Sequence, residues 1–233
     1  MNLTQLKEKL AYSCNILAHE GHWDNILGHV SVRIPGQERI LMKPHSFGFE
    51  EIRPQHIIIV DLNGKKVQGK YERHSEVFIH TEIYRARRDV NCVVHSHPPY
   101  ATVLGALGQR LRPISHEGNI FYEGLPLFDS TTALIRTPEL GKEVAQSLGN
   151  CRGLLMKNHG STVVGESIEV ATLYSVFLEK AARIQLLATA SGEPSWTGDE
   201  EAKIKYEQIY TPHRLGSMWD YFVRRAKKFR KST

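Results

Sequence analysis

Two short β-type segments joined by Asn63-Gly64 constrain the fold of this chain more than any other feature. The segments are IIIVDL and KKVQG, and an Asn-Gly pair between two such runs is a strong signal for a two-residue hairpin turn. Because a hairpin pairs its strands antiparallel, at least part of the sheet is predicted to be antiparallel.

Other segments of the strand type surround this hairpin. HVSVRI and ERILMK flank Pro35-Gly36, VNCVVHSH ends at two prolines, and GLLMKNHGSTVVG predicts two strands around a turn from Asn158 to Gly160. These runs are short and rich in β-branched residues, as strands of a half-buried or buried sheet are. The sheet is therefore predicted to have several strands.

Helical segments alternate with the strands. The N-terminus has apolar residues at three- and four-residue steps, which predicts an amphipathic helix from near Thr4 to near Gly21. SEVFIHTEIYRARRD predicts a helix with Ser75 as its N-cap. Three more helices are predicted in ATVLGAL, PELGKEVAQSLG and the long run ESIEVATLYSVFLEKAARIQLLATASG, which Gly192 ends. The chain is therefore expected to be α/β.

Composition indicates the number of domains, the kinds of partner and the location to expect. A chain of 233 residues with 41% apolar content can bury a large core and contains no linker, so we expect a single domain over 1–233, with 193–233 as a helical C-terminal extension. The net charge of +5 comes partly from the basic C-terminus, and no nucleic-acid partner is expected. Three scattered cysteines and the lack of a long apolar segment predict a cytoplasmic protein without a membrane partner.

The histidines of VVHSHPPY are the first candidates for chemistry. Side chains two residues apart on a strand project from one face about 6 to 7 Å apart, so His95 and His97 are able to converge on one ion. The alternative is one buried histidine with satisfied hydrogen bonds beside an exposed one. A spacing of two residues does not by itself decide between these interpretations.

Two further residues favour a metal site. His159 lies where the strand GLLMK runs into a turn, and Glu76 lies at the start of the helix that leads to His95 and His97. Three imidazoles and one carboxylate form a coherent ligand set for zinc, manganese, iron or cobalt. The carboxylate could also leave the metal to act as an acid or base.

The order GHVSVR, KPHSFG, HSE, VVHSHPPYA and KNHGSTVVGES resembles the class II aldolase/adducin family over about residues 3 to 192. The resemblance implies a three-layer α/β/α domain with a largely antiparallel central sheet, assembled as a homotetramer with active sites between neighbours. It also implies one divalent metal ion per subunit (Mn²⁺, Zn²⁺, Fe²⁺ or Co²⁺), bound by His95, His97 and His159. Glu76 would be the catalytic acid or base.

Departures from the family pattern point to the substrate. Members that act on sugar phosphates carry GN, a T-P-S-G turn and S-S-E to hold the phosphate, whereas this chain has GH, KPHSFG and HSE. The imidazoles would fill the phosphate space and suit a smaller, planar carboxylate. Lys43 and Arg73 flank the same turns, and the alternative is a retained sugar-phosphate site with surface substitutions. The substrate-binding residues implied by the resemblance are His29, His45, Ser46, His74 and Ser75.

The segment RPISHEGNIFYEG places His116 and Glu117 where the aldolases bring in a tyrosine from the neighbouring subunit. His116 is therefore a second catalytic candidate, and Tyr122 is an alternative. The pattern resembles the branch of the family that decarboxylates hydroxylated aromatic or pyridine dicarboxylates, with a small-molecule carboxylate as substrate. The alternatives are an aldolase, epimerase or dehydratase for a sugar phosphate, and a non-catalytic adducin-like interaction module.

Overall fold

Eight strands form one sheet in the computed structural model, which describes residues 2–230 without the side chain of Arg230. Met1 and residues 231–233, which include Lys231 of the basic C-terminus, lie outside the described residues. The strands are β1 (His29–Arg33), β2 (Arg39–Met42), β3 (Ile58–Asp61), β4 (Lys66–Gln68), β5 (Cys92–Ser96), β6 (Leu127–Phe128), β7 (Gly153–Met156) and β8 (Gly160–Gly165).

The sheet has the order β4-β3-β2-β1-β5-β8-β7-β6. Every neighbouring pair is antiparallel except β6 and β7, which are parallel. The predicted hairpin joins β3 to β4, but its loop has three residues, 62–64, instead of the predicted two. The N–H of Asp61 bonds the oxygen of Lys65, the N–H of Gly64 bonds the oxygen of Asp61, and Gly64 alone has a positive φ, of 79°. The expectation of a largely antiparallel sheet is therefore confirmed.

Seven α-helices cover this sheet within residues 2–230. They are α1 (Leu3–Leu17), α2 (Val77–Ala86), α3 (Pro99–Ala106), α4 (Pro138–Leu148), α5 (Ile168–Ser191), α6 (Asp199–Ile209) and α7 (Pro212–Arg230). A π-helical turn, Ala18–His22, continues α1 to the predicted end of the first helix. Gly192 ends α5, as predicted.

The prediction that Ser75 caps α2 is wrong. The helix begins one residue later, so Glu76 occupies the N-cap position and caps no amide of its own helix. Its carboxylate instead accepts a hydrogen bond of 2.8 Å from the backbone N–H of Ile135. This long-range contact holds the carboxylate away from the helix N-terminus.

The core is split between the two faces of the sheet. Val94 belongs to the cluster packed against α1, α3, α5 and α7, whereas its neighbour Val93 belongs to the cluster packed against α2 and α4. This alternation is the two-residue period of a strand with both faces buried. The predicted three-layer α/β/α architecture is confirmed, and the odd-numbered positions of β5 face α2.

The C-terminal helix α7 packs on the same layer as α1 and α5. Its described buried side chains are Leu215, Trp219, Phe222 and Ala226, each at most 9% exposed. Among residues 2–230, no helix combines the length and the hydropathy that a bilayer-spanning segment needs.

Candidate metal centre and active site

The candidate site lies where β1 begins, β5 ends and α2 starts. The antiparallel register of β1 and β5 pairs His29 with His95, so both imidazoles project from the same face toward α2. The turn between β7 and β8 carries His159 to the same edge of the sheet. Strand polarity therefore joins three segments that are distant in the sequence.

The three residues predicted to bind a metal, His95, His97 and His159 (the metal histidines), converge. The Nε2 atoms of His95 and His97 are 3.1 Å apart, and the ring centre of His159 lies 5.0 and 5.1 Å from the two other rings. One ligand atom from each of the three lies within 4.8 Å of the others. Neutral imidazoles are required for metal binding, and burial is the largest cause that lowers the pKa of both His95 and His97.

Hydrogen bonds made by Nδ1 of His95 and of His97 orient both rings, so that each Nε2 lone pair points into the site. The hydroxyl of Thr162 donates to Met156 Sδ and so accepts the Nδ1–H of His95 at 3.1 Å. The carboxylate of Asp24 accepts the Nδ1–H of His97 at 2.6 Å. Each Nε2 atom is therefore left with a lone pair and no proton, as in metal-bound histidines whose other nitrogen donates to a protein group.

The nitrogen atoms at this site lack the partners that buried polar atoms ordinarily have. Two unprotonated Nε2 atoms face each other, and Nε2 of His159 is buried without a hydrogen-bond partner. Buried polar groups are nearly always paired in native proteins. Three converging imidazole nitrogens fit a divalent cation, so the donor set is consistent with the implied metal.

Gly160 allows β8 to approach the histidine pair. A Cβ atom at this position would lie 2.4 Å from the backbone oxygen of Ser96 and 2.7 Å from Cδ2 of His97. No side chain fits at those distances. The turn before it has Asn158 at a positive φ of 54°, a conformation that asparagine tolerates better than most residues.

Glu76 faces the metal histidines from the start of α2 and is 7% exposed. Its Oε1 lies 3.6 Å from Nε2 of His159, and its Oε2 lies 4.0 Å from Nε2 of His29. Burial alone would raise the pKa of Glu76, but the facing imidazoles of His159, His29 and His95 hold it below the usual range. The carboxylate is therefore ionised at neutral pH.

A second group of possible ligand atoms shares one histidine with the first. His29, Glu76 and His95 also bring their donor atoms within 4.8 Å of one another. The spacing of these atoms alone does not decide which group binds an ion.

One cavity of about 420 Å³ opens beside these groups. Predicted residues that line it are His29, His45, His74, Ser75, Glu76, His97 and His159, and Arg136 lines it without having been predicted. The ring centre of His74 lies 4.6 Å from that of His29 and 5.3 Å from that of His45. The three additional imidazoles therefore do converge.

Ser46 does not line this cavity. Its side chain is exposed, its φ is 68°, and its hydroxyl lies 2.6 Å from Nδ1 of His45. Ser46 therefore contacts a cavity residue rather than the cavity itself.

Positive charge at the cavity comes from residues other than the deeply buried imidazoles. Burial lowers the pKa of His29 to about 4, and it lowers that of His74 even further, so both rings are neutral at neutral pH. Lys43 lies behind His74, with Nζ 3.3 Å from Nε2 of the ring, and is 1% exposed. The guanidinium of Arg73 bonds the backbone oxygen of His74 and does not line the cavity.

Lys43 predicts a pH-dependent difference in stability. Burial lowers its pKa from 10.5 to about 8, so between these values the unfolded chain holds a proton that the folded chain has released. The free energy of unfolding then rises with pH. Below pH 8 the folded protein holds a charged, buried Lys43 and is destabilised by the full free-energy cost of burying that charge. Relative to Lys43→Met, the wild type should gain about 3 kcal/mol between about pH 7 and pH 10.5.

Denaturant unfolding of wild type and Lys43→Met at both pH values measures this difference. The methionine variant is the reference because it removes the titrating amine and keeps a long apolar side chain. A difference that stays constant across the pH range would show that Lys43 has an ordinary pKa in the folded protein.

His116 is not at the cavity within one subunit. It precedes the 3₁₀-helix Glu117–Phe121 and lines a different cavity, of about 500 Å³, with side chains of α5, α6 and α7. Its backbone oxygen accepts a hydrogen bond from the hydroxyl of Tyr210 at 3.0 Å. The single chain therefore does not bring His116 to the metal histidines.

Sequence patterns did not indicate Asp24 or Thr162, which orient the metal histidines. Asp24 lies in a loop before β1, where no spacing relates it to His97. Thr162 could have been found only by pairing β5 with β8 in the observed register, in which it lies opposite His95.

Comparisons with known proteins extend over most of the chain. A model of the Class II Aldolase and Adducin N-terminal domain matches residues 8–186. The 3,4-dihydroxyphthalate decarboxylase of Arthrobacter keyseri is 32% identical over 199 residues, which cover 80% of this chain and 79% of that protein. Decarboxylase NovR of Streptomyces niveus is 32% identical over 196 residues, which cover 83% of this chain and 72% of that protein.

A solved structure shows the same fold. L-fuculose 1-phosphate aldolase from Glaciozyma antarctica matches with a TM-score of 0.87 over 98% of this chain and 91% of the other, at 23% identity. At that identity the likeness concerns the fold alone.

Proposed function

The chain belongs to the class II aldolase and adducin family, and from this premise we propose that it is a divalent-metal-dependent carboxy-lyase. The proposed substrate is a hydroxylated aromatic or pyridine dicarboxylate. The observation that carries the proposal is the convergence of His29, His45 and His74 in the cavity that His97 and His159 also line.

These imidazoles suit a planar carboxylate better than a phosphate. His29 and His45 each have a ring nitrogen able to donate one hydrogen bond, whereas Nε2 of His74 donates to the backbone oxygen of Pro44 at 3.0 Å. The rings of His29 and His74 are neutral at neutral pH. Charge complementarity to a second carboxylate would come from Lys43 behind His74 and from Arg136 at the cavity wall. The two relatives at 32% identity are both named as decarboxylases, which supports the same choice of reaction.

His95, His97 and His159 would hold the metal, with Glu76 beside it. A divalent ion there would supply Lewis-acid stabilisation of the negative charge that develops when a carbon–carboxylate bond breaks. Mn²⁺, Zn²⁺, Fe²⁺ and Co²⁺ would each be able to supply this stabilisation.

Glu76 would move the proton. Its carboxylate is ionised and buried, so it can take the proton of the ring hydroxyl and return it to the ring carbon. The bond between that carbon and the carboxylate breaks, CO₂ leaves, and a C–H bond takes its place. His29, His45, His74 and Ser75 would hold the second carboxylate and keep the ring in position.

His116 has a role in this proposal only through a neighbouring subunit. Because it lies in a separate cavity of its own chain, a homotetramer with active sites between neighbours is part of the proposal. Proton delivery by His116 would require such an assembly, whereas delivery by Glu76 requires one chain.

One assay tests the proposed reaction against an aldolase, epimerase or dehydratase reaction. Protein loaded in turn with each divalent metal is incubated with 3,4-dihydroxyphthalate, with other hydroxy-aromatic dicarboxylates and with ketose phosphates. We expect CO₂ release from an aromatic acid and no aldehyde from the sugar phosphates. Aldehyde formation alone would overturn the proposal, and a purified protein that binds no metal would favour an adducin-like interaction module.

A further inference from the structure

Four buried side chains form a continuous hydrogen-bonded chain behind His29. Nδ1 of His29 lies 2.6 Å from Nε2 of His80, and Nδ1 of His80 lies 2.6 Å from the hydroxyl of Ser31. That hydroxyl lies 2.9 Å from the hydroxyl of Tyr84. None of the four residues is more than 2% exposed, so no bulk water substitutes for a missing link.

The residue spacings of one helix and one strand bring the side chains of this hydrogen-bonded chain together. Glu76, His80 and Tyr84 follow one another at four-residue steps and so share one face of α2. His29 and Ser31 are two residues apart on β1 and share the strand face that packs against α2. The hydrogen-bonded chain therefore runs from α2 to the cavity, which His29 lines.

Two directions of proton donation satisfy every hydrogen bond between these four side chains. If Tyr84 donates to Ser31, Ser31 donates to His80 and His80 donates to His29, then the neutral His29 ring carries its proton on Nε2. If every donation is reversed, the proton is on Nδ1 and Nε2 presents a lone pair. The first direction makes His29 a hydrogen-bond donor to the cavity, and the second makes it a possible metal ligand.

Tyr84 favours the first direction. Its hydroxyl lies 2.9 Å from that of Ser31 but 3.5 Å from its other acceptor, the backbone oxygen of Asn91. That oxygen already accepts the backbone N–H of Arg33 at 2.8 Å. Burial also raises the pKa of Tyr84 well above its ordinary value, so the phenol keeps its proton to donate.

We propose that Tyr84, Ser31 and His80 are positioning residues that fix the proton of His29 on Nε2, where it donates to a substrate carboxylate. His29 is then not a metal ligand, because its Nε2 has no free lone pair. Of the two groups of possible ligand atoms, only the group formed by His95, His97 and His159 binds the ion. The tautomer follows from the contacts above, whereas the carboxylate as the acceptor rests on the proposed function.

Nitrogen NMR of the full-length protein labelled at histidine tests the tautomer directly, because protonated and unprotonated ring nitrogens differ in chemical shift. The spectra are recorded without substrate, before and after loading with Zn²⁺. We expect His29 in the wild type to carry its proton on Nε2 under both conditions. Tyr84→Phe and Ser31→Ala should shift its signals toward the other tautomer. A wild-type proton on Nδ1, or loss of the His29 proton on zinc loading, would overturn the proposal.

Ligand binding provides the second readout. Calorimetry with the zinc-loaded protein compares phthalate, which has carboxylates, with catechol, which has none. Tyr84→Phe and Ser31→Ala should each weaken phthalate binding about tenfold, the effect of one well-placed hydrogen bond, and change catechol binding less than about twofold. Equal losses for the two ligands would indicate a merely structural role and overturn the assignment of positioning residues.

Two buried hydroxyls elsewhere in the protein provide matched controls for Tyr84→Phe and Ser31→Ala. Tyr174 has a buried hydroxyl bonded to that of Tyr206 at 2.8 Å, and Ser13 has a buried hydroxyl bonded to that of Thr172 at 2.6 Å. Tyr174→Phe and Ser13→Ala should leave the His29 signals unchanged. If phthalate fails to bind the wild type, the proposed function fails, while the spectra without substrate still decide the tautomer.

Discussion

Replacing His97 with alanine is expected to remove the bound divalent metal and to lower kcat/KM by about 10³-fold or more. His97 contributes one of three converging Nε2 atoms, and Asp24 holds its other nitrogen in the orientation that metal binding needs. Loss of supporting hydrogen bonds alone typically costs 10- to 100-fold in metal affinity, so loss of the ligand should cost more. The expected rate effect corresponds to several kcal/mol of charge stabilisation by the metal.

Elemental analysis after dialysis measures the metal, and steady-state kinetics with the active substrate measures kcat/KM. His213→Ala is the control, because His213 is exposed on α7, outside the cavity. It should retain wild-type metal content and activity. Full metal content in His97→Ala would show that the ion is not held at the position assigned to it.

Replacing Glu76 with glutamine is expected to lower kcat by about 10² to 10⁴-fold while the metal is retained, since positioned acid or base groups contribute about this much. The amide is nearly the same size as the carboxylate and can still accept the 2.8 Å hydrogen bond from the N–H of Ile135. It cannot take or release the proton. The variant therefore separates proton transfer from folding and metal binding.

Glu82→Gln is the matched control for this substitution. Glu82 lies on the same helix and is similarly buried, at 6% exposure, with an ion pair to Arg85 at 3.4 Å. We expect its kcat to stay within about twofold of the wild type. A small change of kcat in Glu76→Gln would contradict the acid or base role. Equal losses of kcat in both variants would show that the effect comes from a disturbed α2 instead.

Much of the fold could be predicted because its signals are local. The Asn63-Gly64 hairpin signal, the periodicity of α1 and the glycine after α5 each report on a few neighbouring residues. The hairpin, the helix and the helix end are confirmed, although the hairpin loop has three residues instead of two. The parallel pairing of β6 with β7 was not predicted. β6 has only two residues, too few for a period, and its pairing is decided by a partner far along the chain.

The start of α2 shows why a local signal can fail. Ser75 is a residue type favoured at N-caps, but Glu76 occupies the N-cap position, and its carboxylate accepts a long-range hydrogen bond from the N–H of Ile135. Tertiary contacts routinely override a preference worth about 1 kcal/mol. The carboxylate of Glu76 lies beside two histidines of the candidate site, His159 and His29.

By itself, the sequence determined which residue types could bind a metal and that His95 and His97 would share a face, because a strand alternates strictly. Only the tertiary structure decided that His159 joins them, that Asp24 and Thr162 orient them, and that His116 lies elsewhere in the chain. Burial in the folded protein also lowers the pKa of His29 and of Lys43. Desolvation and hydrogen-bond direction depend on what packs around a side chain, and at this site those neighbours come from distant segments.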